Sequence, residues 1–144
     1  MEKLLGIDVG STTVKTAVLS ADTNELLYSS YERHFAKVKE CVLVQLAKIA
    51  EKYPDDTFKV AITGSAGLGL AEGSGVRFVQ EVQSAFVAVK KYYADADAVI
   101  ELGGEDAKII YFTGGLEERM NGVCAGGTGS FIDQMAALLK TDAP

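Results

Sequence analysis

The sequence predicts an α/β domain whose sheet opens as a meander. Three observations carry the prediction. Over roughly the first thirty residues, short runs of strand character are separated by turns rich in Gly, Thr, Asp and Asn. Two stretches, 36–52 and 82–93, switch to a helical period. A strand–turn–strand unit at the N-terminus recurs near residue 100. The resulting order is three strands, helix, strand, helix, strand pair, helix, which belongs to α/β architectures.

Lys3–Val9 is an apolar run of strand length, Gly10–Thr13 a turn, and Val14–Ser20 a returning strand. Asp22–Asn24 turns again, and Glu25–Phe35 supplies a third, more polar strand. Val38, Val42, Leu46 and Ile49 then recur at helical spacing, with Lys and Glu between them, until Pro54-Asp55-Asp56 stops the helix. Phe58–Thr63 reads as a buried strand ending at Gly64-Ser65-Ala66-Gly67. The glycine-rich stretch 64–75 predicts a loop with one helical turn, and Val76–Gln80 a short strand. The next helix places Val82, Phe86 and Val89 on one face. Ala98–Leu102, Lys108–Phe112 and Leu116–Met120 are strands around the turns at Gly103-Gly104 and Thr113-Gly114-Gly115. Gly126-Gly127-Thr128-Gly129 opens a last helix over about 130–139, where Ser130 and Asp133 have capping-box spacing.

At 144 residues the chain is long enough for one ordinary domain. A formal charge of -6 argues against general affinity for nucleic acid or an anionic membrane. The N-terminal apolar run is too short for a signal peptide, and no run approaches the roughly 20 apolar residues of a bilayer span. The two cysteines, Cys41 and Cys124, form no C-x-x-C, so a reducing, cytoplasmic setting is expected. Cys41 lies beside the apolar stripe of the first long helix and reads as packing. His34, at a strand-to-helix junction, reads as a solvated or capping histidine.

The repeat carries the chemistry. Asp8-Val9-Gly10-Ser11-Thr12-Thr13-Val14-Lys15 and Glu101-Leu102-Gly103-Gly104-Glu105-Asp106-Ala107-Lys108 share one order: acid, apolar residue, Gly, small or polar turn, then Lys. Glycine lets a backbone approach a phosphate and aim its N–H groups at it. Ser11, Thr12 and Thr13 add hydroxyls, and Lys15 a point charge. Asp8 ends a strand, where it can hold Mg²⁺ through water, an ion that takes only one or two carboxylates. An ordinary hairpin turn would use similar residues, but a hairpin has no reason to occur twice. Neither turn is a Gly-x-x-x-x-Gly-Lys-Ser/Thr loop.

On these residues the sequence resembles the actin-like ATPase superfamily, with Gly6–Lys15 like its first phosphate motif and Glu101–Lys108 like its second. The tract Met120–Ala136, reading MNGVCAGGTGSFIDQMA, is similar to the signature of 2-hydroxyacyl-CoA dehydratase activators and benzoyl-CoA reductase ATPase subunits. The resemblance implies an actin-like ATPase (ribonuclease H-like) fold as an N-terminal fragment. The first subdomain, 1–95, is then complete and the second, 96–144, truncated. It further implies ATP/ADP and Mg²⁺ as ligands, and a homodimer whose single [4Fe-4S] cluster is bridged by two cysteines from each subunit in the full-length protein. ATP hydrolysis would drive a low-potential electron into a partner acyl-CoA dehydratase or reductase.

The implied roles fall on Asp8 and Glu101 for metal through water, and on Gly10, Ser11, Thr12, Thr13, Lys15, Gly103 and Gly104 for nucleotide. Glu105 and Asp106 would orient the attacking water, and Cys124 would be one cluster ligand. Position alone leaves Cys124 open between a thiolate favoured by a helix N-terminus and a small buried cysteine that packs like alanine. Glu101 and Glu105 stand where the family usually has Asp and Gln, which predicts slowed hydrolysis, and the fragment alone is expected to be inactive. Gly64-Ser65-Ala66-Gly67 stands where relatives often carry Gly-Tyr-Gly-Arg. Two other readings share the fold: a kinase of a sugar or small metabolite, and a nucleotide-responsive docking module without turnover.

Overall fold

A computed structural model describes residues 1–104, 106–121 and 127–141. Glu105 and Cys124 therefore lie outside the described residues. The chain forms two compact units, Met1–Glu81 and Val82–Pro144.

The first unit is a mixed five-stranded sheet in the order β3-β2-β1-β4-β5, with β1 Glu2–Val9, β2 Thr13–Ser20, β3 Leu26–Arg33, β4 Thr57–Thr63 and β5 Arg77–Phe78. β1–β2 and β2–β3 are antiparallel, so the expected meander forms, while β4 adds parallel to β1. Alternation decides which face is covered: Lys3, Leu5, Ile7 and Val9 are buried, and the residues between them are not. Helix α1, Val38–Lys52, covers that face with Val42 and Ile49 buried and Val38 and Leu46 partly so. These are the four residues of the helical period. Val14, Val18, Ile62 and Ala71, the last from α2 Leu68–Ser74, complete the core. Cys41 packs against this core, as its place on the stripe predicts. At the end of the sheet away from the turn, Lys3 bonds Asp56 at 2.9 Å and lies 5.0 Å from the centre of the Tyr53 ring.

Helix α3, Glu81–Tyr92, starts at the last residue of the first unit, and the second unit holds the rest of it with an antiparallel sheet β6-β7-β8 and α4 Gly129–Leu139. Its strands are β6 Ala98–Leu102, β7 Ala107–Tyr111 and β8 Glu117–Met120. Ile110 of the central strand is fully buried. Val82, Phe86 and Val89 are all partly buried, and Phe86 meets Phe112 edge to face at 5.5 Å. On edge strand β6, Ile100 and Leu102 are exposed.

The capping box is not formed. The N-cap is Thr128, without a side-chain cap, because Ser130 Oγ donates instead to the carbonyl of Gly104 at 2.5 Å. Among the described residues no helix is long and apolar enough to cross a membrane.

Candidate phosphate-binding turns

The first turn sits where β1 and β2 separate. Cross-strand register sets Asp8 opposite Lys15, and Lys15 Nζ lies 2.9 Å from Asp8 Oδ2. Both side chains are about a third exposed, so the pair adds little to stability and can open toward a ligand. Lys15 Nζ also lies 5.6 Å from the centre of the Tyr31 ring.

Carbonyls of this turn are drawn into the protein. Gly10 N–H donates to Thr13 O at 2.9 Å, closing the turn, and Ala66 N–H donates to Val9 O at 2.9 Å. His34 N–H donates to Thr12 O at 3.1 Å, and His34 Nε2 lies 3.1 Å from Gly10 O. No acceptor among the described residues is recorded for the N–H groups of Ser11 and Thr12, which are half-buried. A turn whose oxygens point inward while its N–H groups remain available is suited to an anion. Thr13 is itself buried, and its carbonyl closes the turn.

The loop after β4 packs beside this turn because two glycines permit it. At Gly64, φ is +98°, and an added Cβ would stand 2.3 Å from Val9 O and 2.6 Å from Asp8 Oδ1. At Gly67 a Cβ would stand 2.4 Å from Thr63 O. The same loop presents Ser65 N–H to Glu81 Oε1 at 3.1 Å.

The second turn repeats the closure and the register of the first. Gly103 N–H donates to Asp106 O at 2.8 Å, as Gly10 does to Thr13. Glu101 is paired in register with Lys108, as Asp8 is with Lys15. Here helix α4 provides the support: Gly129 N–H donates to Gly103 O at 2.9 Å, and Ser130 N–H to Gly104 O at 3.0 Å. A Cβ at Gly129 would lie 3.3 Å from Gly103 O, a tight contact that a shift of a few tenths of an ångström would relieve.

Thus Asp8, Gly10, Ser11, Thr12, Thr13 and Lys15 are brought together in one turn, and Glu101, Gly103, Gly104 and Asp106 in another. Two participants were not singled out from sequence. His34 is buried, at 7% exposure, and is neither solvated nor a helix cap: the N-cap of α1 is Lys37. Gly64 carried a signal, its glycine-rich context, but not its role.

Two duplicated strand–turn–strand units, each in its own α/β unit, define half of an actin-like ATPase fold. The chain belongs to the BadF/BadG/BcrA/BcrD ATPase family, which it matches over residues 5–143. It is 31% identical over 143 residues to the (R)-2-hydroxyglutaryl-CoA dehydratase activating ATPase of Acidaminococcus fermentans, covering 94% of this chain and 53% of that one. The crystal structure of (R)-2-hydroxyglutaryl-CoA dehydratase component A from A. fermentans is similar, with a TM-score of 0.83 and 28% identity. That match covers 99% of this chain and 56% of the other. The activator of 2-hydroxyisocaproyl-CoA dehydratase from Clostridium difficile with bound ADPNP shares the fold, with a TM-score of 0.80 and 24% identity over 98% of this chain and 53% of that one. The chain thus spans about half the length of the curated relatives it matches.

Proposed function

We propose that this chain is the phosphate-binding part of an ATP-hydrolysing activator of a 2-hydroxyacyl-CoA dehydratase or a related reductase. The observation that carries the reading is the duplicated turn: the same Gly N–H to carbonyl closure at 2.9 and 2.8 Å, each with an acid and a lysine paired across it. Family membership and the activating ATPase among its relatives support it.

The residues fit a magnesium nucleotide. Ser11 and Thr12 N–H groups and Lys15 would hold phosphate oxygens, and Gly103 and Gly104 would offer main-chain contacts of the same kind in the second turn. Asp8 and Glu101 would hold Mg²⁺ through its waters. In such a complex the Asp8 carboxylate would serve the hydrated metal and the Lys15 ammonium the phosphate, in place of the ion pair they make with each other. Asp106 and Glu105 would orient water. Mg²⁺ supplies charge neutralisation at the phosphates. That chemistry asks for no dense ligand set, since Mg²⁺ keeps most of its waters.

Cys124 would contribute one thiolate of a [4Fe-4S] cluster shared across a homodimer of the full-length protein. Such a cluster takes about four cysteines, and the one other cysteine of this chain, Cys41, is packed against the core. The cluster would thus draw its remaining ligands from elsewhere than the described residues.

Phosphate release and iron content of the full-length protein test the reading. ATP turnover with bound iron, both with the cysteine at 124 intact and iron lost in Cys124→Ala, is the expected result. Turnover without iron, with phosphate transferred to a sugar, would establish the kinase reading instead.

A further inference from the structure

We infer that His34 is a positioning residue for the first phosphate turn, acting by pulling the Gly10 carbonyl out of the anion's path. The inference rests on the reading of Gly10–Lys15 as a phosphate turn.

Three observations converge on it. The first is the ring's two partners. Ala36 N–H donates to His34 Nδ1 at 3.1 Å, so Nδ1 carries no proton. The proton is then on Nε2, which donates to Gly10 O at 3.1 Å. One neutral tautomer satisfies both contacts. The second is the backbone. Phe35 and Ala36 both adopt positive φ, +47° and +64°, though neither is glycine, Asn or Asp. That conformation costs energy, and it brings the Ala36 N–H back onto the ring, fixing its orientation. His34 main chain is held as well, donating to Thr12 O and accepting from Lys37 N–H at 2.7 Å. One residue thus grips the turn at two carbonyls, those of Gly10 and Thr12.

The third observation is internal to the molecule. In the second turn, the carbonyl equivalent to that of Gly10 is Gly103 O, and it too accepts a donor from outside the turn, Gly129 N–H of α4. The two turns need the same thing done and use different groups. In the first, His34 Nε2 stands in for a helix N-terminal amide. A carbonyl left free to rotate toward a phosphate would repel it, whereas one tied back leaves the adjacent Ser11 and Thr12 N–H groups as the turn's face.

Two amide substitutions separate this role from simple packing. Asn places an acceptor near the Nδ1 position, preserving the Ala36 contact without reaching Gly10. Gln places a donor near the Nε2 position. Binding of Mg·ATP to the 144-residue chain would be followed by amide chemical shifts. His34→Asn should weaken binding about fivefold to tenfold, the loss of roughly one hydrogen bond. It should also speed hydrogen exchange at Gly10, whose N–H closes the turn on Thr13 O, while His34→Gln restores both. Equal losses in the two variants would make His34 a packing residue and overturn the inference.

Lys15→Met is the control on the underlying reading. If it leaves binding unchanged, the phosphate turn itself is misassigned; if it weakens binding and His34→Asn does not, only the positioning role fails. Should the variants not fold, the unmodified chain still decides. Its His34 ring nitrogens should show the neutral Nε2–H tautomer, and the Nε2 resonance should shift as Mg·ATP saturates. The other tautomer, or no shift, overturns the proposal.

Discussion

In the first unit the carbonyl of the turn glycine is met by a side chain, His34 Nε2; in the second it is met by the main chain of α4, at Gly129. The turns are otherwise alike in closure and register. A main-chain brace comes with the helix and survives most substitutions. A side-chain brace depends on one residue and on the strained backbone that aims it. The first turn is also crowded from behind by the Gly64–Gly67 loop, where the second has only the closer approach of a helix start. The first turn should therefore be more sensitive to single changes, and most of that sensitivity should sit outside the motif.

The largest effect should come from Gly64→Ala. Its Cβ would stand 2.3 Å from the Val9 main-chain oxygen at positive φ, and that main chain cannot give way without disturbing the β1–β4 pairing that ends beside it. A loss of about 2–4 kcal/mol is expected by denaturant unfolding. Gly129→Ala is the matching test in the second unit. There the new Cβ meets Gly103 O at 3.3 Å, a contact that relaxes by a few tenths of an ångström. It should cost about 1 kcal/mol or less, offset in part by better helix propensity. If Gly129→Ala is the worse of the two, the contrast between the turns is reversed.

Gln45→Met probes the support one residue further along. Gln45 is fully buried, and its Nε2 donates to Val14 O at 3.0 Å while Oε1 has no partner among the described residues. Met keeps the volume and removes both the bond and the unpaired oxygen, so the change should be about 1 kcal/mol or less. The smallest effect concerns pH. The Met1 ammonium, and then Lys3, hold the Asp56 carboxyl below the usual carboxylate range. A depressed folded value means the contribution is present above about pH 4 and is lost as pH falls through that lower value. Asp56→Asn should flatten the acid limb of stability slightly, without touching either turn.

The meander, the first long helix and the repeat were legible because each rests on a local period. Leu5, Ile7 and Val9 alternate, Val42 and Ile49 lie on one helical face, and Gly10 and Gly103 hold the same place in two copies of one pattern. The brace was not legible. His34 lies 24 residues from Gly10 in sequence, and its aim depends on positive φ at Phe35 and Ala36, which their side chains disfavour. The Ser130–Asp133 spacing suggested a cap, but a tertiary acceptor, Gly104 O, took the serine hydroxyl. In both cases a long-range partner decided what a local pattern could not.

The central claim is that the first turn holds phosphate through its N–H groups and Lys15, and that the second is built the same way. Titration of the chain with Mg·ATP, followed by amide resonances, tests it most directly. The account predicts saturable shifts at Ser11 and Thr12 and, from the like-built second turn, at Gly103 and Gly104. Shifts confined to one turn, or no response at either, would contradict it.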